Sequence, residues 1–192
     1  MINDYNTSLS EHINVFKSLK NLKKEVNSSI EKLSNSLNKN SKIFFCGNGG
    51  SAADAQHLAA ELIVKFKKKR IPLPGISLAL DTSTMTACSN DYDFSEVYLR
   101  SFQALAKKND ILIILSTSGN SKNILKLIKY ANKKNFYIIG FLGNKGGLAK
   151  KFCNISLIVE SNSTARIQEC HIFLGHYIIE KLEQNIDFSL FK

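Results

Sequence analysis

No apolar run in this chain approaches the roughly 20 residues that a membrane-spanning helix needs, so no membrane partner is expected. The N-terminal stretch Met1-Ile2-Asn3-Asp4-Tyr5 carries no basic segment with an apolar core behind it. No signal peptide is therefore expected, and the cytoplasm is the expected compartment. Cysteine is sparse: Cys46, Cys88, Cys153 and Cys170 are scattered, with no C-x-x-C pair and no zinc-ribbon spacing. That excludes a disulfide scaffold and leaves reduced, mostly buried thiols as the expectation. Acidic residues are outnumbered, 16 against 26 basic, for a formal net charge of +10. No RNP-like aromatic strand, zinc finger or helix-turn-helix accompanies this charge, so no nucleic-acid partner is expected. The lysines are spread along the chain, and the only dense run is Lys65 to Arg70, interrupted by Phe66. The charge reads first as a solvated lysine-rich surface, and second as a field that draws in a phosphorylated substrate.

What is present is an alternation of strands and helices. At 192 residues the chain suits a single domain over 1–192, with a helical arm over 1–40 and an α/β core over 41–192. In the arm, Leu9, Ile13, Phe16 and Leu19 fall at helical spacing, as do Val26, Ile30, Leu33 and Leu37. No proline interrupts them. Such faces must cover the sheet or another subunit, and we expect them to serve oligomerisation. Strands are expected at 43–46, 76–80, 111–115, 137–142 and 155–159. Helices are expected at 51–66, 95–105, 120–132 and 163–182. The alternation argues for βαβ units, hence a parallel sheet flanked by helices, a three-layer sandwich.

Small residues cluster where expected strands end. Gly47-Asn48-Gly49-Gly50-Ser51 follows the first strand and opens a helix. Ser116-Thr117-Ser118-Gly119-Asn120-Ser121 follows the most apolar strand and opens another, and a third glycine stretch spans 140–147. Ligands of open parallel sheets sit beyond the carboxyl ends of the strands, where helix N-termini offer free N–H groups and a favourable dipole to an anion. One such loop would be an ordinary turn with a serine N-cap; two at matching junctions point to a phosphate. Neither loop has the G-K-[ST] ending of a Walker A loop, and the first meets at best G-x-G-x-x-A, which favours a monophosphate over a dinucleotide.

His57 and Glu61 lie four apart on one helical face. Gln168 and His176 lie eight apart on the last expected helix, within about 80° on a helical wheel. Together they can close around one divalent ion, histidine and carboxylate being ordinary zinc ligands and glutamine an unusual one. His171 points about 140° away from His176 by the same count and is the weaker candidate. Taken alone, His57 and Glu61 read equally as a surface i,i+4 pair. No role is assigned to His12.

These residues resemble a known family. The stretch from Cys46 to His57, followed by Ala60-Glu61-Leu62, resembles the first loop and helix of bacterial phosphoheptose isomerases of the SIS-domain group. Ser116 to Ser121 resembles their phosphate loop, Thr164 to Glu169 with His171 and His176 their C-terminal helix, and Asn90-Asp91 their substrate-side turn. The resemblance spans essentially the whole chain. It implies a SIS fold assembled as a homotetramer, one Zn2+ per subunit held by His57, Glu61, Gln168 and His176, and Glu61 with His176 as the acid/base pair. It implies phosphate binding by Ser51, Ser116, Ser118 and Ser121 with Thr117 nearby, and a substrate lined by Asn48, Gly49, Gly50, Asn90, Asp91 and Gln168. The implied reaction converts sedoheptulose 7-phosphate to D-glycero-D-manno-heptose 7-phosphate. Two positions depart from some members: Ala165 stands where they carry an acidic residue, and Lys65 where they carry arginine. Related SIS proteins that bind the replication initiator without chemistry lack the residues corresponding to Glu61 and His176, which this chain retains. A SIS enzyme acting on another sugar phosphate and a SIS sensor domain are the other readings.

Overall fold

The structure is a computed structural model describing residues 4–79 and 81–191. Five strands form one sheet: β1 (Ile43–Gly47), β2 (Gly75–Ser77), β3 (Ile111–Ser116), β4 (Tyr137–Gly143) and β5 (Ile155–Val159). Their order is β2-β1-β3-β4-β5 and every neighbouring pair is parallel. All of β3 is buried, as a strand covered on both faces requires. Among the described residues seven α-helices accompany the sheet: α1 (Tyr5–Ser18), α2 (Lys23–Leu37), α3 (Gly50–Ile63), α4 (Thr82–Asp91), α5 (Val97–Leu105), α6 (Lys122–Lys133) and α7 (Thr164–Asn185).

Strand alternation sorts the core into two layers. Ile43, Phe45, Ile111, Ile113 and Leu115 pack with residues of α2, α3 and α7. Phe44, Cys46, Leu112 and Ile114 pack with residues of α4, α5 and α6. The expected apolar stripe Ile124, Leu127, Ile128 and Ala131 of α6 is wholly buried. Of the two N-terminal helices, α2 belongs to this core through Val26, Ile30, Leu33 and Leu37. In contrast, α1 buries no residue; Leu9 and Ile13 stand exposed. It is tied down by His12, whose Nδ1 lies 2.7 Å from Glu169 Oε2, and by Phe16, whose ring meets Phe173 edge-on at 4.8 Å.

Several boundaries differ from the sequence reading. The second strand is only Gly75–Ser77, followed by a turn; Leu80 lies outside the described residues. Helix α4 was not expected; its signal is Asp81, an N-cap whose carboxylate accepts from Thr84 N at 3.1 Å. Asn90 and Asp91 are accordingly the last residues of a helix rather than a turn. Gly140 lies inside β4, so the third glycine loop starts only after Gly143. Helix α3 stops at Ile63 instead of Phe66, because the N–H groups of Phe66, Lys67 and Lys68 donate to Glu183 rather than continuing the helix. Among the described residues no helix is long and apolar enough to cross a membrane.

His171 anchors α7 to the sheet. Fully buried, it places Nε2 3.2 Å from Leu142 O, and Nδ1 has no hydrogen-bond partner among the described residues. Burial pushes its pKa down from 6.5 to about 4, against the opposing pull of the Leu142 carbonyl. The folded chain thus keeps the ring neutral where the unfolded chain protonates it. Stability is fully present above pH 6.5 and falls as pH drops toward 4, by up to roughly 3 kcal/mol from this residue. Urea unfolding across that range should show a shallower pH slope in His171→Gln than in the native chain. Equal slopes would remove His171 as the cause.

Candidate active site

In the strand order β2-β1-β3-β4-β5 the winding reverses between β1 and β3, and the crevice at such a switch point is where open α/β sheets bind ligands. The two small-residue loops flank this crevice, because Gly47 of β1 pairs in register with Leu115 of β3. After β1, Gly49 takes a positive φ of 57° and the chain enters α3 with Ser51 buried. After β3, Ser116 Oγ accepts from Gly119 N at 3.1 Å and Ser118 Oγ from Asn120 N at 3.1 Å, folding the loop on itself. Ser121 occupies the N-cap of α6, yet its hydroxyl makes no capping bond. The loop after β4 braces the second one from outside: Asn120 Oδ1 accepts from Leu148 N at 2.9 Å, and Gly119 O from Ala149 N at 3.0 Å.

Beside the first loop, α3 and α7 cross closely enough to join side chains far apart in sequence. Gly175 permits this approach, since a Cβ there would lie 2.5 Å from Leu58 Cδ2. The flanking His176 meets His57 with Nε2 atoms 2.7 Å apart, and Glu61 Oε1 lies 3.4 Å from His57 Nε2. At that separation one ring nitrogen donates and the other accepts. One ligand atom from each of the three residues falls within 4.8 Å of the other two, a grouping able to hold a metal ion. His176 is half-buried under the ring of Phe66, stacked at 5.2 Å with planes 24° apart. Burial and the neighbouring His57 hold its pKa below the ordinary histidine value, while Glu61 pulls the other way.

Gln168 lies two helical turns before His176 and reaches the first loop. Its Nε2 is 3.5 Å from Ser51 Oγ, and a Cβ on Gly50 would lie 2.7 Å from that same nitrogen. A side chain at position 50 would displace the Gln168 amide from its place beside Ser51. Asn90 and Asp91 sit exposed at the end of α4, in the layer opposite α3 and α7, with Asn90 Nδ2 donating to Asp91 Oδ1 at 2.9 Å.

Residues 5–143 match the SIS domain family. A phosphoheptose isomerase of Campylobacter concisus is 46% identical over 177 residues, covering 92% of this chain and 90% of the relative. The solved phosphoheptose isomerase of Neisseria gonorrhoeae superposes with a TM-score of 0.87 at 35% identity, covering 92% of this chain and 95% of its own. That of Francisella tularensis gives the same TM-score at 31% identity, covering 93% and 96%. The chain belongs to the phosphoheptose isomerase family of SIS-domain sugar-phosphate isomerases. The resemblance carried by residues 46–62, 116–121 and 164–176 pointed to this family.

Around this candidate site, the sequence reading passed over three residues. Asn123, in the first turn of α6, exchanges amide bonds with Asn48: Nδ2 to Oδ1 at 2.9 Å one way and 2.8 Å the other. Tyr98, from α5, donates to Gly47 O and also reaches Asn48 Oδ1 at 3.3 Å. Both are buried, so Asn48 is clamped between the two loops before any ligand arrives. The third is Asp54, one turn before His57 on α3, whose Oδ2 is buried without a hydrogen-bond partner among the described residues. Burial pushes its pKa up to about 6, against the lowering influence of His57. The buried asparagine in the apolar stripe of α6 was a readable signal; those of Tyr98 and Asp54 were not, because partners and burial are set by tertiary packing.

Proposed function

We propose that this chain interconverts sedoheptulose 7-phosphate and D-glycero-D-manno-heptose 7-phosphate through an enediolate, the first step toward a nucleotide-activated heptose. The observation that carries this reading is the convergence of His57, Glu61 and His176 within hydrogen-bonding reach. Gln168, on the helix that carries His176, reaches Ser51 at the first of the two serine- and glycine-rich loops at the switch point. Ser51, Ser116, Thr117, Ser118 and Ser121 would hold the phosphate at two helix N-termini, and the unused hydroxyl of Ser121 favours a ligand over a simple cap. Asn48, Gly49, Gly50, Gln168, Asn90 and Asp91 would line the remainder of the sugar.

Holding the phosphate fixes the distance from the far end of the substrate to the reacting carbons, which supplies orientation. Glu61 removes a proton from C1 of the ketose. Its Oε1 faces His57, which leaves Oε2 for the substrate. His176 donates a proton to O2 and takes one back from O1, and Glu61 returns its proton to C2, giving the aldose. Burial and the neighbouring His57 favour the neutral form of the His176 ring, which offers one N–H donor and one acceptor nitrogen.

The donor set of two imidazoles and a carboxylate fits Zn2+, whose ligand atoms stand about 3.3 Å apart in a tetrahedral site. The 3.4 Å between His57 and Glu61 matches that value, and the 2.7 Å between the two imidazole nitrogens would have to widen to admit the ion. His57, Glu61 and His176 would hold the ion, with Gln168 as the fourth ligand. When bound, zinc would polarise the substrate carbonyl. The exposed apolar residues Leu9 and Ile13 of α1 and Phe173 and Tyr177 of α7 would be covered in a homotetramer. The expected setting is the cytoplasm.

The test is to incubate the purified chain with sedoheptulose 7-phosphate and follow the aldose by NMR, with and without a strong chelator. Conversion that the chelator abolishes and added Zn2+ restores is the expected result. Conversion that survives chelation would keep the isomerase and make the metal structural or incidental, and no conversion by folded, zinc-loaded protein would overturn the proposal.

A further inference from the structure

The basic run Lys65–Arg70 has no task in the reaction above, yet its backbone is wrapped around a single buried carboxylate. Glu183 Oε1 accepts from Phe66 N at 2.9 Å and from Arg70 Nε at 2.9 Å. Its Oε2 accepts from Lys67 N at 2.8 Å and Lys68 N at 2.9 Å. The side chains of Arg70 and Glu183 are 2% and 1% exposed, so this pair is sealed from water. The guanidinium does more than neutralise Glu183. Nη1 donates to Leu62 O at 2.7 Å and Nη2 to Glu61 O at 2.7 Å, capping the last carbonyls of α3. At the start of the same turn the ring of Phe66 lies against His176. Glu183 stands seven residues beyond His176 on α7, on the same helical stripe. One carboxylate thus fixes, through a single turn, the end of the helix that carries Glu61 and the aromatic surface on which His176 rests.

We propose that Glu183, Arg70 and Phe66 are positioning residues for the isomerase reaction. Glu183 folds the 66–70 turn so that Phe66 holds the His176 ring and Arg70 holds the helix end beneath Glu61. The basic run is thereby an internal receptor for a carboxylate of its own chain. The inference rests on the roles proposed for Glu61 and His176. It requires four donors and a ring stack to act together, whereas a purely structural ion pair would need neither Phe66 nor its place on His176.

The experiment compares the full-length native chain, Phe66→Leu, Phe66→Tyr and Glu183→Gln, each loaded with Zn2+. Leucine keeps the apolar contact and removes the ring; tyrosine keeps both. The readouts are kcat and KM for sedoheptulose 7-phosphate, and the ring resonances of His176 in histidine-labelled protein, assigned by their loss in His176→Gln. In Phe66→Leu, kcat should fall about 10- to 100-fold with KM changed by less than about twofold, the signature of lost alignment rather than lost binding. Phe66→Tyr should restore kcat. The His176 resonances should move in Phe66→Leu and in the same direction in Glu183→Gln, although the latter retains the phenylalanine. Native kcat in Phe66→Leu, or unmoved His176 resonances in folded Glu183→Gln, would overturn the proposal. Should Glu183→Gln fail to fold, the Phe66 pair decides alone. Failure of the underlying site reading shows separately, as native activity in His176→Gln.

Discussion

Glu61→Gln should fold like the native chain and lose turnover by a factor of about 10² to 10⁴, the range expected when a positioned general base is removed. The substitution is nearly isosteric, and Glu61 is only partly buried, so the packing of α3 is undisturbed. What changes is proton affinity, since an amide cannot take a proton from a carbon beside a carbonyl. With it goes the anionic ligand that Glu61 would offer a zinc ion, so zinc content is measured beside activity. The backbone role of Glu61, whose carbonyl accepts from Arg70, survives because it does not involve the side chain. The check is kcat by NMR-monitored conversion alongside circular dichroism and thermal melting. Activity near the native level in a folded variant would eliminate Glu61 as the base. A loss confined to KM would instead make it a binding residue.

Glu183→Ala is expected to be the most destabilising single substitution at a charged residue in the chain. Removing one partner of a buried pair leaves the other uncompensated, at about 3–5 kcal/mol. For a domain of this size that corresponds to a fall in Tm of roughly 6–20 °C. Here the partner is Arg70, 2% exposed at its side chain, and three backbone N–H groups lose their acceptor at once. Glu180→Ala is the internal control. Its partner Lys67, at 2.9 Å, is 61% exposed, and exposed pairs contribute about 0–1 kcal/mol. Burial raises the pKa of Glu183, but the backbone donors and Arg70 outweigh it and hold the carboxyl below the ordinary glutamate value. Its stabilisation is therefore present above pH 4.5 and lost as pH falls through its lower folded value. Thermal melts of the two variants at neutral pH distinguish the cases. Equal small shifts would mean that the turn finds another acceptor for its N–H groups.

The sequence determined the class of fold, because periodicity is local. The apolar run 111–115 can only be a strand buried on both faces, and Ile124, Leu127, Ile128 and Ala131 can only line a helix facing a core. It also made the two loops legible, since glycine and serine at a strand–helix junction have few other uses. The spacing of His57 and Glu61 put both on one face, and the resemblance carried by those same stretches named the family.

What the tertiary structure decided is everything that depends on partners distant in sequence. That His176 meets His57 follows from the close crossing of α3 and α7 at Gly175. That Asn48 is held by Asn123 and Tyr98 follows from the packing of β1 against α5 and α6. The run Lys65–Arg70 read as surface charge in one dimension; in three it closes on Glu183, more than a hundred residues later. The physical reason is common to these cases. Residue type and spacing fix local dihedrals and the face a side chain occupies. Burial, hydrogen-bond partners and the pKa shifts they cause are set only once separate elements have packed together.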